Sequence, residues 1–131
     1  MNTAKQVVNP LRELASYGQS VWLDYIRRSL LNSGELKRLV DEDGLKGMTS
    51  NPAIFEKAIA GSNDYAEALA ILKKDSKLKA MDIYEHIAVE DIQKAADILK
   101  PVYEKTQKRD GYVSMEVSPL LANDTEKTIE E

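Results

Sequence analysis

The sequence predicts a helix-rich α/β fold in which short parallel strands alternate with helices. Three times an apolar, strand-forming stretch ends in a polar residue and gives way to a helix start: Leu23 then Asp24, Met48 then Thr49 and Asn51, Val113 and Met115 then Glu116. The stretches between them carry apolar residues at helical spacing behind capping residues. The chain has 131 residues, 43% hydrophobic and 31% charged, which suits one soluble domain with a modest core. Strands separated by helices imply parallel pairing with right-handed crossovers, and such sheets hold ligands at the carboxyl ends of their strands.

Asn9 can cap a first helix with Pro10 at its opening position, where the missing amide hydrogen costs nothing, and Gly18 can end it. Residues 20–23 read as a buried strand stopped by Asp24, and residues 25–31 as helix. Ser33 can cap a helix through about Asp41, with Leu36, Leu39 and Val40 as its stripe, before Gly44 breaks the pattern. Residues 45–48 form a second strand that delivers Thr49, Ser50 and Asn51 to Pro52, which opens a helix ending at Gly61. Ser62 or Asn63 can cap the next helix, whose apolar face is Tyr65, Ala68, Leu69 and Leu72, and residues 73–79 read as a solvated, lysine-rich turn. A long helix follows from about Asp82, with Ala88, Ile92, Ala95, Ala96 and Leu99 on one face, and Pro101 is expected to break or kink it. Asp110-Gly111 precedes a third strand over residues 112–118, and Asn123 or Asp124 caps a last helical segment.

The composition excludes much chemistry. With no cysteine and one histidine, disulfide scaffolds, thiolate catalysis and the usual zinc sites are excluded. The net charge of −4 and the lack of a long basic run argue against nucleic acid as a ligand. No run of about 20 apolar residues suits a membrane helix, and the opening MNTAKQVVNPLREL lacks the apolar stretch of a secretory signal, so a cytoplasmic location is expected. Gly44-Leu45-Lys46-Gly47 matches no phosphate-binding loop and reads as turn residues; His86 lacks a metal-binding partner and reads as a surface or structural histidine. Trp22 and Phe55 read as core.

In a β/α barrel the strand ends form one mouth, so Asp24, Asn51 and Glu116 would share a pocket although far apart in sequence. A plainer reading stays open beside this one: Asp24 and Asn51 serve as helix caps, and Glu116 pairs with a neighbouring Arg or Lys.

Three motifs carry a family resemblance: Gln19-Ser20-Val21-Trp22-Leu23-Asp24-Tyr25-Ile26-Arg27-Arg28, Gly47-Met48-Thr49-Ser50-Asn51-Pro52-Ala53-Ile54-Phe55, and Asp110-Gly111-Tyr112-Val113-Ser114-Met115-Glu116-Val117-Ser118-Pro119. In this order, from about Asn9 to the end, the chain resembles transaldolase, most of all the group that includes fusions to phosphoglucose isomerase. The resemblance implies a TIM (β/α)8 barrel enzyme of the pentose phosphate pathway. Such an enzyme moves a dihydroxyacetone unit between sugar phosphates through a lysine Schiff base, with neither metal nor organic cofactor. The implied substrates are fructose 6-phosphate, sedoheptulose 7-phosphate, erythrose 4-phosphate and glyceraldehyde 3-phosphate. By motif, Asp24 corresponds to the acid/base carboxylate at the donor's C4 hydroxyl, and Glu116 to the carboxylate that works through a water on the Schiff base. Asn51 corresponds to an amide binding donor hydroxyls, and Thr49 to a hydroxyl helping to hold the catalytic water.

The resemblance also implies that the Schiff-base lysine and the phosphate-binding arginine lie beyond Glu131. A complete barrel needs about 250 residues, so residues 1–131 are expected to be a single incomplete domain, about three β/α units from the N-terminal part of a barrel, inactive alone. Open strand edges predict a homo-oligomer. The competing expectation is a non-catalytic half-barrel that serves assembly or binding.

Overall fold

A computed structural model of the chain describes residues 9–131; the N-terminal stretch lacking a secretory apolar run falls, through residue 8, outside the described residues. Asn9 opens the described chain as expected. Its side-chain oxygen accepts from the Leu11 amide at 2.9 Å, and Pro10 begins helix α1 (Pro10–Glu13), which tightens into a 3-10 turn (Leu14–Tyr17). Strand β1 is Trp22–Asp24. The helix expected over residues 25–31 begins only at Arg28 (α2, Arg28–Asn32), because Arg27 is extended and Ile26 is spent in the core, fully buried. The single helix expected from Ser33 is likewise divided. Gly34 precedes α3 (Glu35–Arg38), which opens into a wide π turn (Leu39–Asp43) closed by Gly44.

Strand β2 (Gly47–Thr49) pairs parallel with β1 in the register Trp22↔Gly47, Leu23↔Met48, Asp24↔Thr49. The third expected strand is reduced to a single parallel bridge, Met48↔Val113, made by the Met48 amide to the Tyr112 carbonyl and the Ser114 amide to the Met48 carbonyl, both 3.0 Å. The reason lies in its neighbour: β2 ends at Thr49 and Pro52 starts helix α4 (Pro52–Ala60), so residues 115–118 have no strand beside them.

Helix α5 (Ala66–Leu72) starts at Tyr65 without a side-chain cap, later than Ser62 or Asn63 predicts, and leads into an exposed lysine-rich turn as expected. Helix α6 (Ala80–Lys105) continues through Pro101 without the break that was one of the two expected outcomes. Leu99, fully buried, and Val102 pack into the core on either side of the proline, whose ring is exposed, and this packing outweighs the one lost backbone bond. Ala96, expected on the apolar face, is exposed. A final helix α7 (Thr125–Glu130) is capped by Asp124, which accepts from the Lys127 amide at 3.1 Å.

The sheet has two unlike faces. Val21, Leu23, Met48 and Val113 point to the helices and join a core with Ile26, Leu36, Phe55, Ala95 and Leu99; each large apolar side chain buried there contributes about 1.5–3 kcal/mol. By strand alternation Trp22, Asp24, Gly47 and Thr49 point the other way. Trp22 is 38% exposed, so β1 is not the fully buried strand its apolar run suggests. Gly47 is a strand residue and not a turn residue: a Cβ there would sit 2.4 Å from the Trp22 ring, so only glycine lets the indole lie across β2.

The start of the sheet is pinned by Asp110. Its carboxylate accepts from Ser20 Oγ at 2.7 Å and Trp22 Nε1 at 3.3 Å, while the adjacent Gly111 amide donates to the Lys46 carbonyl at 2.7 Å. Gly111 is left-handed (φ 87) and a Cβ would lie 2.3 Å from the Tyr103 backbone nitrogen, so two separate constraints demand glycine.

Candidate active site

Asp24 and Thr49 end two adjacent strands at the same register level, which brings them together on the open face. The Thr49 hydroxyl donates to Asp24 Oδ1 at 2.7 Å. Asp24 is exposed, and its Oδ2 has no partner among the described residues. It is no helix cap, since the next helix is preceded by Arg27.

Asn51 leaves the same strand two residues later with an extended backbone. Its Oδ1 accepts from the Ile54 amide at 3.0 Å, so the plain reading of Asn51 as a cap for α4 is correct. That bond also orients the amide: with the oxygen turned to the helix, Nδ2 is left as a donor.

Glu116 follows the single bridge that Val113 makes to Met48. It is exposed, and among the described residues it makes no ion pair with Arg or Lys. It lines a groove of about 740 Å³ between α4, α6 and residues 115–119, together with Pro52, Ile59, Met81, Tyr84 and Val117. Asp24, Thr49 and Asn51 do not line that groove. Among the described residues no ladder beyond Val113 sets the alternation of residues 115–118 toward the open face. Burial raises the Tyr84 phenol above its ordinary value, and the Glu116 and Glu85 carboxylates raise it further.

Sequence reasoning missed the most elaborate polar cluster. Asp91, fully buried on α6, accepts from Arg28 Nε at 2.8 Å and from the Tyr65 hydroxyl at 2.9 Å; the Tyr65 oxygen in turn accepts from the Arg28 amide at 2.9 Å, and the guanidinium lies 5.0 Å from the Tyr65 ring centroid. Arg28 also reaches Glu90 at 2.8 Å. Burial raises the Asp91 carboxyl above the ordinary range, with Arg28 and Tyr65 pulling the other way. The signal was in the spacing, because Asp91 falls on the same helical face as Ile87, Ala88 and Ala95. His86 is on the surface, its Nδ1 2.7 Å from the Asp82 carbonyl, in keeping with its sequence reading. Among the described residues no group of three or more His, Asp or Glu is placed to hold a metal, and no helix is long and apolar enough to cross a membrane.

Chemically, the open face offers an exposed carboxylate with one oxygen held and one free among the described residues, and Asn51, two residues beyond Thr49, offers an amide donor. Such a pair can take or return a proton at a hydroxyl and grip its neighbour.

The family model described as Transaldolase/Fructose-6-phosphate aldolase matches residues 21–131. Curated relatives agree. The chain is 49% identical over 125 residues to a protein named Transaldolase from Trichodesmium erythraeum, covering 95% of this chain and 33% of the relative. It is 51% identical over 124 residues to Transaldolase 2 of Nostoc punctiforme, covering 94% and 32%. A Transaldolase of Thiobacillus denitrificans is 43% identical over 124 residues, covering 95% and 34%. The chain thus spans about a third of the length of the curated relatives it matches. The match over residues 21–131 contains both strands, the Asp24–Thr49 pair, Asn51 and Glu116, and it shows that the chain belongs to the transaldolase/fructose-6-phosphate aldolase family.

Proposed function

We propose that this chain supplies the first β/α units of a transaldolase barrel and, with them, the acid/base groups of dihydroxyacetone transfer. The observation that carries the reading is the Asp24–Thr49 pair, an exposed carboxylate at the carboxyl end of a parallel strand, in a chain of this family. In the proposed cycle a lysine amine contributed from outside residues 1–131 condenses with the ketose donor and releases water. Asp24 then takes the proton of the donor's C4 hydroxyl, the electrons of the C3–C4 bond move onto the iminium, and the aldose departs. Addition to an acceptor aldose phosphate reverses these steps, and Asp24 returns its proton. Asn51 donates from Nδ2 to donor hydroxyls, the direction its capping bond leaves open. Glu116 acts through water on formation and hydrolysis of the Schiff base. That role requires residues 115–118 to pair with a further strand, which would turn Glu116 from the groove toward Asp24.

Fructose 6-phosphate, sedoheptulose 7-phosphate, erythrose 4-phosphate and glyceraldehyde 3-phosphate are the proposed substrates, and the cytoplasm the proposed location. Borohydride trapping with fructose 6-phosphate, read by intact mass, tests the reading. The chain alone is expected to give no adduct. Mixed with the remaining two thirds of the Trichodesmium erythraeum transaldolase, it is expected to restore turnover that Asp24→Asn abolishes. A stoichiometric adduct on a lysine of this chain overturns the placement of the nucleophile. A complex without turnover favours the assembly module instead. The open sheet face and the exposed Met81 and Val117 beside the groove further support self-association; a monomer at tens of micromolar in sedimentation contradicts it.

A further inference from the structure

We infer that Thr49 is a positioning residue for the acid/base carboxylate, selecting Oδ2 of Asp24 as the oxygen that exchanges a proton with substrate; the inference rests on the assignment of Asp24 just made. A carboxylate only accepts, so the 2.7 Å contact has one polarity: Thr49 donates its single proton to Oδ1. The two residues are register partners on adjacent strands, held from behind by Leu23 and Met48 in the core. Thr49 is β-branched with few χ1 choices, so its hydroxyl direction is set by the strand and not by solvent. Oδ1 is thereby engaged, and Oδ2 is the oxygen without a partner among the described residues.

The arrangement serves both directions of proton transfer. When Oδ2 takes a proton the carboxyl becomes neutral, but Oδ1 still accepts from Thr49, so the side chain need not turn between cleavage and addition. The same polarity limits what Thr49 can do for a water. With its proton committed to Asp24, its oxygen can only accept, so a water beside it must donate to it.

Two readouts test this. In the 131-residue chain, NMR couplings across the Asp24 Cα–Cβ bond are expected to show one fixed rotamer. Thr49→Val, which keeps the shape and removes the hydroxyl, is expected to lose it, and Thr49→Ser to keep it. Averaged couplings in the parent chain, or a fixed rotamer in Thr49→Val with a native amide spectrum, overturn the inference. In the assembly with the remaining two thirds of the relative, Thr49→Val is expected to lower kcat about 10- to 100-fold, with KM changed by less than about twofold and most of kcat recovered in Thr49→Ser. A loss in KM alone, or no recovery in Thr49→Ser, overturns it too. Unimpaired turnover in Asp24→Asn would instead overturn the assignment of Asp24, a failure that leaves the rotamer result standing and is visible separately.

Discussion

Asp24 and Asp91 each accept a hydrogen bond from a hydroxyl, and their surroundings differ sharply. Asp91 lies at 0% exposure with Tyr65 on one oxygen and Arg28 on the other, whereas Asp24 is exposed and has Thr49 on one oxygen only. A carboxylate whose lone pairs are taken and whose surroundings are dry is fixed in place and out of reach of substrate. One with a free oxygen at a strand end can still exchange a proton. The fold keeps the two on opposite sides of its sheet, with the helices packed over the first and the open face left to the second.

The difference is widest in stability. Asp91→Ala leaves Arg28 buried without its main partner and the Tyr65 hydroxyl without an acceptor, and it is expected to cost about 3–5 kcal/mol in urea unfolding. Tyr65→Phe removes the hydroxyl that serves both Asp91 and the Arg28 amide, and about 1–3 kcal/mol is expected. Thr49→Val, the matching deletion on the open face, is expected to stay within about 0.5 kcal/mol, since water replaces the lost donor there. Equal costs for Tyr65→Phe and Thr49→Val would erase the distinction.

Asn51 combines both roles in one side chain, and two substitutions separate them. Asn51→Ala loses the cap on α4 and should cost about 1 kcal/mol. Asn51→Asp keeps an oxygen for the Ile54 amide and loses only the Nδ2 donor. It is expected to match the parent in thermal unfolding while abolishing the affinity for ketose hydroxyls in the assembled enzyme. Full binding by Asn51→Asp would reduce Asn51 to a cap.

How far the sequence could be read follows the range of the forces involved. Caps and strand ends are local: Asn9 with Pro10, Asn51 with Pro52, and Asp24 at the end of β1 stand where their residue types require. The pairing of Asp24 with Thr49 is set by strand register, which local patterns do not encode, and the Arg28–Asp91 contact joins residues 63 positions apart. Residues 112–118 have the composition of a strand, but a strand needs a neighbour, and β2 turns away at Pro52. Pro101 fails as a breaker for a related reason: core contacts of Leu99 and Val102 outweigh a local preference.

Asp64 tests the comparison from between its extremes. It is paired with Arg27 Nε at 2.7 Å and the Ser29 amide at 3.1 Å, yet both side chains remain partly open to solvent. The Arg27 hydrogen bond, with help from Ser29, lowers its carboxyl to about 2. A lowered acid favours the fold in its charged form, so its contribution is complete above the ordinary aspartate value near 3.9 and disappears as pH falls toward about 2. Asp91 has the opposite sign: raised by burial, its contribution belongs to pH below the ordinary value and is lost as pH rises through its folded one. Urea midpoints of the parent and Asp64→Asn are therefore expected to differ at pH 5 and to converge toward pH 2. The gap should shrink in high salt, because the pair is exposed. A gap independent of pH would mean that Asp64 acts through its hydrogen-bond geometry alone and that its charge adds nothing to the fold.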